Sequence, residues 1–349
     1  MKLGIVGLPQ SGKSTVFAAL TGARGEERDR SAPRPDLTTA TITVLDERVD
    51  FLTKVCQPKK TTHAKIEYVL PSAIPGGSSS PSKGGIWNQV RICDALLHVV
   101  RNFRPPGGSL PPTPEEDFWQ IEEEMILSDL AVAEKRIERI ELDKKRGKKP
   151  EGDEYSLLRS CCELLEKGEP LRQRQELALH PALRGFTFLC AKPILVIINN
   201  DDEDEVLPGW GKKPEGIELL VVRGRLEMDI ATMSHEEAQE FREAYNIQES
   251  ALDRVIKTSY RLLNYISFFT VLSDEVRAWS IAAGTPALEA AGTVHTDMKK
   301  GFIRAEVLSF EDLRACGSFQ EAKKAGFARL EGKEYQVKDG DIINFRFNI

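Results

Sequence analysis

Residues 2–20, KLGIVGLPQSGKSTVFAAL, decide the fold of this chain. The apolar run at 3–6 predicts a buried strand, and the spacing of apolar residues at 16–20 predicts a helix. Between them, residues 7–14 match the phosphate-loop pattern G-x-x-x-x-G-K-[ST] at every fixed position. The motif requires a strand, a glycine-rich turn and a helix in this order. The sequence therefore predicts a nucleoside triphosphate site.

The residue types in this loop suit phosphate groups and a divalent cation. Gly7 and Gly12 let successive backbone N–H groups turn towards phosphate oxygens, and the start of the helix adds its dipole. Lys13 is predicted to reach the β- and γ-phosphates, and the Ser14 hydroxyl is the predicted Mg²⁺ ligand. The predicted nucleotide-binding residues of the loop are Gly7, Pro9, Gln10, Ser11, Gly12, Lys13, Ser14 and Thr15.

Composition and charge narrow the class of protein. A length of 349 residues suits roughly two or three domains. No apolar run approaches the ~20 residues of a membrane span, and a core strand begins at once, so we expect a cytoplasmic protein with no signal peptide and no membrane partner. The net charge of −6 means that RNA must meet a local basic patch, and no DNA partner is expected. The six cysteines lack metal-site spacing and are expected to be reduced.

Alternating strands and helices follow the phosphate loop. Further apolar runs at 40–44, 64–70, 95–100, 192–198 and 219–222 predict a doubly wound, mostly parallel α/β sheet. His98 lies within one of these runs and is predicted to be a core histidine. The polar stretch 22–35 is predicted to cover the γ-phosphate. Ser31, Thr38 and Thr39 are its candidate metal ligands, and the sequence does not choose among them.

A helical hairpin is predicted between two strands of the sheet. Thr113 predicts the N-cap of a long amphipathic helix, with Pro114 at its first position and Glu116 closing a capping box. A second helix returns through 157–165, so the pair is interpreted as a coiled-coil hairpin. Its basic tip, 144–149, is either a solvated helix end or a contact with a phosphate backbone.

The last part of the chain predicts a mixed α+β module of about 80 residues without a catalytic constellation. Strands are predicted at 275–281 and 302–307, and strict alternation predicts a half-buried strand at 343–347. The predicted domains are a P-loop G domain at 1–112 and 187–265, the inserted helical hairpin at 113–186, and a C-terminal domain at 266–349.

Together these motifs resemble the Obg-like ATPases, the YchF family of P-loop proteins, over nearly the whole chain. The most specific parts are KLGIVGLPQSGKSTVFAALTG at the start and EVRAWSI, AAGTVHTDMKKGFIRAEV and EGKEYQVKDGDIINFRFNI near the end. The latter look like the family's β-grasp-like TGS domain. The resemblance implies ATP-preferring hydrolysis with Mg²⁺ and association with ribosomes, ribosomal RNA or translation factors. The hairpin tip and the TGS domain are the predicted contacts, and the further basic candidates are Lys299, Lys300, Arg304 and Arg346.

The resemblance also implies a base-reading turn at the end of the strand 194–198. Its predicted nucleotide-binding residues are Asn199, Asn200 and Asp202. The family has N-x-x-E, which disfavours guanine, whereas guanine readers have N-K-x-D. This chain has Asn199 and Asp202 at that spacing, and Asn200 with Glu203 gives N-x-x-E one residue further on. ATP is the favoured nucleotide by resemblance and GTP is the alternative. The position of the family's Ser-Ala-Lys turn is taken here by Arg223-Gly224-Arg225, which does not decide between adenine and guanine.

One segment departs from the family. The family's D-I-A-G-L supplies an Asp that holds Mg²⁺ through water and a Gly whose N–H senses the γ-phosphate, but this chain has Leu70-Pro71-Ser72-Ala73-Ile74. Leu70 offers no oxygen, and strand alternation points Glu67 to the opposite face. Ala73 keeps an N–H without the backbone freedom of glycine.

We therefore expect nucleotide binding, with hydrolysis that is weak or dependent on a partner, and no catalytic residue is identified. The leading hypothesis is a nucleotide-dependent switch acting on the translation machinery. The alternative is a nucleotide-binding but hydrolytically inert adaptor. A phosphate-loop kinase is disfavoured because the chain shows no Arg-rich lid.

Overall fold

The structure of the protein, a computed structural model, describes residues 1–22, 25–26, 37–72, 85–105, 111–147, 152–245, 247, 250–272 and 274–348. Ser31, Ala73, Ile74, positions 148–149 of the predicted basic tip and most of the predicted γ-phosphate stretch 22–35 lie outside the described residues. Within the described ranges, no helix is long and apolar enough to cross a membrane.

The strands are β1 Lys2–Val6, β2 Gly25–Glu26, β3 Leu37–Val44, β4 Lys60–Thr62, β5 Ala64–Pro71, β6 Ala95–Asn102, β7 Ile194–Asn200, β8 Glu218–Val222, β9 Tyr265–Val271, β10 Glu275–Ala282, β11 Phe302–Ser309, β12 Arg329–Glu331 and β13 Asp341–Phe347.

The α-helices are α1 Lys13–Gly22, α2 Glu47–Cys56, α3 Ile86–Val90, α4 Pro114–Lys145, α5 Glu154–Leu165, α6 Gln175–Ala178, α7 Gly224–Thr232, α8 His235–Ala244, α9 Ala251–Leu262, α10 Ala287–Val294, α11 Thr296–Lys300, α12 Phe310–Cys316 and α13 Phe319–Lys324. Two 3₁₀ helices lie at Leu171–Gln173 and Pro181–Phe186.

The chain folds into two compact units, each described by itself. The first comprises Met1–Ile42 and Glu67–Val255, and the second comprises Thr43–Ile66 and Ile256–Ile349. The three predicted domains remain a prediction. The compact units differ from them at 43–66 and 256–265, which the sequence assigned to the G domain. The physical reason at 43–66 is that α2 packs on β10 and β4 pairs with β10.

The first unit contains a seven-stranded sheet in the order β2-β3-β5-β1-β6-β7-β8. Strands β5, β1, β6, β7 and β8 run parallel, and β2 is antiparallel to β3. All seven residues of β7 and the first six of β6 are buried. Such continuous apolar runs are typical of parallel strands covered on both faces. The mixed sheet with its helices confirms the predicted α/β class.

Helices α4 and α5 pack against each other as the predicted hairpin. Arg136 on α4 makes a bidentate bond to Glu154 on α5, at 2.7 and 2.8 Å. Cys161 and Cys162 of α5 are buried, as expected of core thiols, and burial raises the pKa of Cys161 to about 12. None of the chain's six cysteines, all of them described, forms a disulfide. The coiled-coil geometry and the name of the C-terminal domain stay predictions.

Two buried ion pairs attach α4 to the rest of the first unit. The Asp129 carboxylate, with no exposed surface, accepts from Arg91 at 2.7 Å and from the Cys190 N–H at 2.8 Å. Glu122, also buried, pairs with Arg172. Removing one partner of such a pair leaves an uncompensated buried charge, so each pair favours one position of the helix.

The start of α4 differs in part from its prediction. Thr113 is the N-cap residue and Pro114 stands at the first position, as predicted. The predicted capping box is wrong, because no side chain caps this end: Thr113 Oγ1 bonds to Asp117 Oδ1 at 3.1 Å. The neighbouring Glu115 accepts two backbone N–H groups at 2.8 Å from a loop that is distant in sequence, at positions 211 and 212. Those bonds lower the pKa of Glu115.

The second unit contains a six-stranded sheet in the order β12-β11-β13-β9-β10-β4. The β13–β9 and β10–β4 pairs are parallel, and the other pairs are antiparallel. In β13, Ile343 and Phe345 are buried while Asn344 and Arg346 are exposed, as predicted, but Phe347 is exposed where the alternation predicted a buried residue. The core of this unit is formed by Phe268, Ile281, Ala287, Ala290, Ala291, Phe302, Ala305, Val307, Val337, Ile343 and Phe345.

His98 is a core residue of β6, as predicted. Its side chain is 1% exposed and stacks on Phe118, with ring centroids 5.4 Å apart. Burial, and then the positive charges of Arg172 and Lys13, lower the pKa of His98 to about 3. The imidazole is therefore neutral at physiological pH, as a buried group in an apolar strand must be.

We expect the His98→Leu variant to weaken the acid sensitivity of folding. The unfolded chain takes up a proton on His98 near pH 6.5, while the folded chain does so only near pH 3. The neutral form of His98 therefore makes its full contribution to the free energy of unfolding above pH 6.5. That contribution is lost as the pH falls towards 3, by at most about 1.4 kcal/mol per pH unit.

Urea unfolding at pH 7.5, 6 and 5 measures the effect. The native protein should lose stability more steeply than the His98→Leu variant as the pH falls. Parallel curves for the native protein and His98→Leu would contradict the prediction.

Candidate nucleotide-binding site

The phosphate loop connects β1 to α1 with a backbone that only glycine tolerates at two points. Gly7 and Gly12 have φ angles of 149° and 90°. A Cβ on Gly7 would lie 2.3 Å from the Val99 carbonyl oxygen, and a Cβ on Gly12 would lie 2.1 Å from Asn199 Nδ2. Both distances are steric overlaps, so the loop shape depends on glycine at both positions.

Lys13 begins α1 and folds back over its own loop. Its ammonium donates to the carbonyl oxygens of Gly7 at 2.9 Å and Leu8 at 2.6 Å. An ammonium has three donors, so one is left for a phosphate oxygen. Partial burial lowers the pKa of Lys13. The cation thus stands beside the loop that a nucleotide would enter.

The remaining loop residues divide into exposed and buried ones. Pro9 and Gln10 are exposed at the tip, and Thr15 is half-buried in the first turn of α1. Ser14 is exposed in the same turn, so its hydroxyl is accessible to a cation. Ser11 is 1% exposed, and its Oγ has no hydrogen-bond partner among the described residues. A glycine cradle, a free ammonium donor and an accessible hydroxyl fit a triphosphate with Mg²⁺.

Asn199 connects the loop to the far side of the site. Its Nδ2 donates to the Ser11 carbonyl at 3.1 Å, and its Oδ1 accepts from the Gly224 N–H at 3.0 Å. The side chain is 3% exposed. The structure therefore brings Asn199 together with the phosphate loop and the start of α7, as a positioning residue.

Asn200 is turned into the protein. Its Nδ2 donates to the carbonyls of Asp204 at 3.0 Å and Val206 at 2.9 Å, and its Oδ1 accepts from Asn102 Nδ2 at 2.9 Å. With these bonds both ends of the amide are engaged by protein groups. In this structure Asn200 holds the turn that follows β7 and connects it to the end of β6.

Asp202 is exposed and caps α7. Its Oδ1 accepts from the Leu226 N–H at 3.1 Å, and its carbonyl accepts from Arg223 at 3.3 Å. Arg223 also pairs with Glu205 at 2.8 Å. An anionic side chain at a helix N-terminus is stabilised by the N–H groups and by the helix dipole.

The structure describes two of the predicted elements on the γ-phosphate side, the candidate metal ligands of β3 and the end of β5. Thr38 is exposed and Thr39 half-buried at the start of β3, and β5 separates β3 from β1. Leu70 is the last residue but one of β5, the strand beside β1, and its side chain supplies no metal-binding oxygen. Glu67, the carboxylate of β5, pairs with Lys2 at 3.2 Å. It therefore does not replace the Asp that the family has at position 70.

Several contributors to the site were not predicted from sequence. Asn102 orients the Asn200 amide, and backbone N–H groups at 224 and 226 bind Asn199 and Asp202. Asn102 has a sequence signal, because it ends a buried strand next to β7 and side chains at the carboxyl edge of a parallel sheet surround ligands. The backbone N–H groups at 224 and 226 have no such signal in the sequence.

A cleft of about 520 Å³ lies along β8, away from the phosphate loop. Its lining includes Glu205, Arg223 and Glu227 but no residue of the loop. The Glu227 carboxylate is engaged by Ser250 Oγ and by the Ala251 N–H, both at 2.8 Å. The phosphate loop, with its glycine cradle and cation, is the stronger candidate for nucleotide.

Comparison with known proteins shows similarity along the whole chain. A family model, YchF-GTPase_C, "Protein of unknown function (DUF933)", matches residues 265–348. The chain is 38% identical to "Ribosome-binding ATPase YchF" of Bacillus subtilis (strain 168) over 364 residues, covering 99% of each protein. It is 39% identical to the protein of the same name from Escherichia coli O157:H7 over 362 residues, covering 100% of this chain and 99% of that one. The structure of the Schizosaccharomyces pombe YchF GTPase superposes with a TM-score of 0.82 at 27% sequence identity. The match covers 99% of this chain and 97% of that one.

We expect the Asn199→Ala variant to lose about 2–4 kcal/mol of unfolding free energy. The change leaves the Ser11 carbonyl and the Gly224 N–H buried without a partner, and each such group costs about 1–3 kcal/mol. Urea unfolding measures the loss. The exposed Asn344→Ala change should stay within about 0.5 kcal/mol of the native protein. A loss below about 1 kcal/mol for Asn199→Ala would contradict the assigned role.

Proposed function

This chain belongs to the YchF family, and from that premise we propose that it is a purine-nucleotide switch that binds ATP with Mg²⁺. GTP is the second candidate nucleotide. The observation that carries the proposal is the phosphate loop, in which Lys13 and the exposed Ser14 stand at the start of α1 behind two obligatory glycines.

Each part of the loop has a role towards a triphosphate. The backbone N–H groups of the loop and Lys13 would hold the phosphates, and Ser14 would hold the metal. Bound Mg²⁺ supplies neutralisation of the phosphate charge. Asn199 acts through the loop, because its bond to the Ser11 carbonyl keeps the loop in the shape that the phosphates require.

The choice of ATP over GTP rests on the relatives, both of which are named ATPases. Asn200 is engaged by protein groups, so recognition of the base by this turn falls to Asp202. One Asp202 oxygen accepts from the Leu226 N–H. Each carboxylate oxygen has two lone pairs, so Asp202 keeps acceptors for either purine base and GTP stays the second candidate.

Hydrolysis in this proposal is weak or dependent on a partner. Leu70 has no oxygen with which to orient the metal's water shell, and Glu67 is engaged by Lys2. Loss of such an outer ligand weakens control of the metal. The alternative function is an inert adaptor that binds nucleotide and never hydrolyses it. Leucine at position 70, in place of the family's aspartate, also favours this inert adaptor.

Nucleotide titration tests the proposal. We expect saturable binding of a fluorescent ATP analogue that strengthens with Mg²⁺, with GTP competing more weakly than ATP. The Lys13→Ala change should weaken binding at least about tenfold, because it removes charge-assisted bonds to phosphate.

A matched control exists in Lys192, another partly buried lysine, which donates to the Cys93 carbonyl at 2.6 Å. The Lys192→Ala change should leave nucleotide affinity unchanged. Equal losses in both variants, or no saturable binding by the native protein, would overturn the proposal. Single-turnover hydrolysis with and without ribosomes on the same samples separates a partner-dependent switch from the inert adaptor.

We also propose the ribosome as partner and the cytoplasm as location. Both relatives compared above are named ribosome-binding ATPases. The hairpin tip supports an RNA contact, because α4 ends in Lys144 and Lys145 and continues with Arg146. The Lys144 ammonium lies 3.6 Å from the Tyr155 ring centroid, which holds the end of the helix to α5.

The basic residues of the second unit are weaker candidates for the RNA contact. Lys299 pairs with Glu289 at 2.7 Å, and Arg346 pairs with Glu306 at 3.1 Å. An RNA phosphate would have to compete with these carboxylates. Lys300 and Arg304 are exposed and complete the candidate set.

Salt-dependent sedimentation with ribosomes tests the tip. We expect the Lys144→Glu/Lys145→Glu double variant to bind ribosomes at least about tenfold more weakly and to reduce the salt slope by about one per lysine. The Lys212→Glu/Lys213→Glu variant carries the same charge change on another exposed pair and should bind as the native protein does. Unchanged binding by the tip variant would discard the tip as the contact.

A further inference from the structure

Strand β8 is an edge of the seven-stranded sheet, and within the described part of the chain no strand pairs with its outer side. It pairs with β7 at five consecutive positions, from Glu218 to Val222, without a bulge. In a parallel pair, alternate residues of a strand turn their N–H and C=O groups towards the neighbouring strand. The other residues of β8 therefore present these groups on the side away from β7.

The cleft of about 520 Å³ follows this open side. Three successive residues of β8, Leu219, Leu220 and Val221, contribute to its lining. Successive side chains of a strand point to opposite faces of the sheet, so a cleft that meets all three lies along the edge and not over one face. All three are half-buried, and Leu207 adds a further apolar side chain.

The sequence of β8 lacks the devices that usually protect such an edge. Proteins protect exposed edges with very short strands, charged side chains, proline or bulges. The two edges of the six-stranded sheet follow this rule, because each is a strand of three residues with charged side chains, Lys60 in β4 and Arg329 and Glu331 in β12. In β8 the sequence ELLVV has one charged residue, at its first position.

Strand β8 is also held firmly in place. Leu219 and Val221 pack against the buried cluster that contains Phe118, Val196 and Trp210. The neighbouring strand β7 is buried along its whole length. The edge is therefore formed before any ligand arrives, which reduces the entropy cost of binding.

The charged groups of the cleft favour an anion over a cation. Both carboxylates of the lining are engaged: Glu205 pairs with Arg223 at 2.8 Å, and Glu227 accepts from Ser250 Oγ and from the Ala251 N–H, both at 2.8 Å. The Glu227 charge is further stabilised by the N-terminus of α9, which begins at Ala251.

Arg254 is the lining cation that remains for a ligand. It is exposed on α9, and among the described residues its guanidinium has no hydrogen-bond or ion-pair partner. A guanidinium forms its strongest contacts with carboxylates, which it binds through two parallel hydrogen bonds.

We propose that β8 is a docking edge for an extended acidic peptide, which adds a further strand to the sheet. Its backbone pairs with the open side of β8, its apolar side chains contact Leu219, Leu220 and Val221, and one carboxylate pairs with Arg254. Five residues of strand span about 17 Å, so a peptide of about five residues covers the edge. The inference is independent of the nucleotide, because no residue of the phosphate loop lines the cleft.

Selection of phage-displayed random peptides of about seven residues on the full-length protein supplies the probe. Selected sequences should contain Asp or Glu among alternating apolar residues. A fluorescein-labelled copy should bind saturably in a polarisation assay, and hydrogen–deuterium exchange of β8 should slow at least about twofold on binding, with no change in β12. No saturable binding by any selected peptide, or unchanged exchange in β8, would overturn the proposal.

The Arg254→Ala variant tests the ionic contact. It should bind the acidic peptide at least about tenfold more weakly, because a charge-assisted hydrogen bond is lost. Arg159→Ala is the matched control, since Arg159 is also exposed on a helix, α5, and does not line the cleft. Equal affinities of the two variants, or selected peptides without an acidic residue, would show that Arg254 does not bind the ligand.

N-methylated peptides test the backbone pairing without any change to the protein. Methylation removes the N–H donor, and only alternate residues of an added strand donate to β8. Two versions of the selected peptide, methylated at its odd or at its even positions, should therefore differ at least about tenfold in affinity. Equal affinities of the two versions would contradict strand addition.

Discussion

The amide of Asn199 is the interaction on which the candidate nucleotide site depends. It joins the Ser11 carbonyl, 188 positions away, to the Gly224 N–H, 25 positions away. The contact exists only because Gly12 and Gly224 have no Cβ, since a side chain at either would lie within 2.7 Å of the amide. One side chain thus holds the phosphate loop, the end of β7 and the start of α7 in a fixed relation.

The turn that follows β7 shows how five consecutive acidic residues, 201–205, are held in place. Like charges at such spacing repel each other, so the turn needs opposing partners. It finds them in Arg223, in the N-terminus of α7 and in the buried Asn200 amide, which binds two of its carbonyls. The turn therefore lies at the carboxyl edge of the parallel strands, directly after β7.

The sequence predicted those features that local patterns determine. The phosphate loop has a fixed motif, and the apolar runs of β6 and β7 are long enough to be recognised as buried strands. The capping box was wrong because no side chain caps the start of α4, where the Thr113 hydroxyl bonds to Asp117 Oδ1. The placement of 43–66 was missed because its partners are distant in sequence. A three-residue strand such as β4 has no periodicity, and its partner β10 lies far along the chain.

The pairing of β4 with β10 also has a consequence for the order in which the protein matures. Thr62 and Glu275, which bond across that pair, are 213 positions apart. At ribosomal elongation rates the second residue follows the first after roughly 10–40 s. During that time the apolar face of α2, with Val49 and Leu52, has been synthesised but its sheet has not. The early segment must therefore wait, exposed or shielded by a chaperone, until the final hundred residues emerge and complete it.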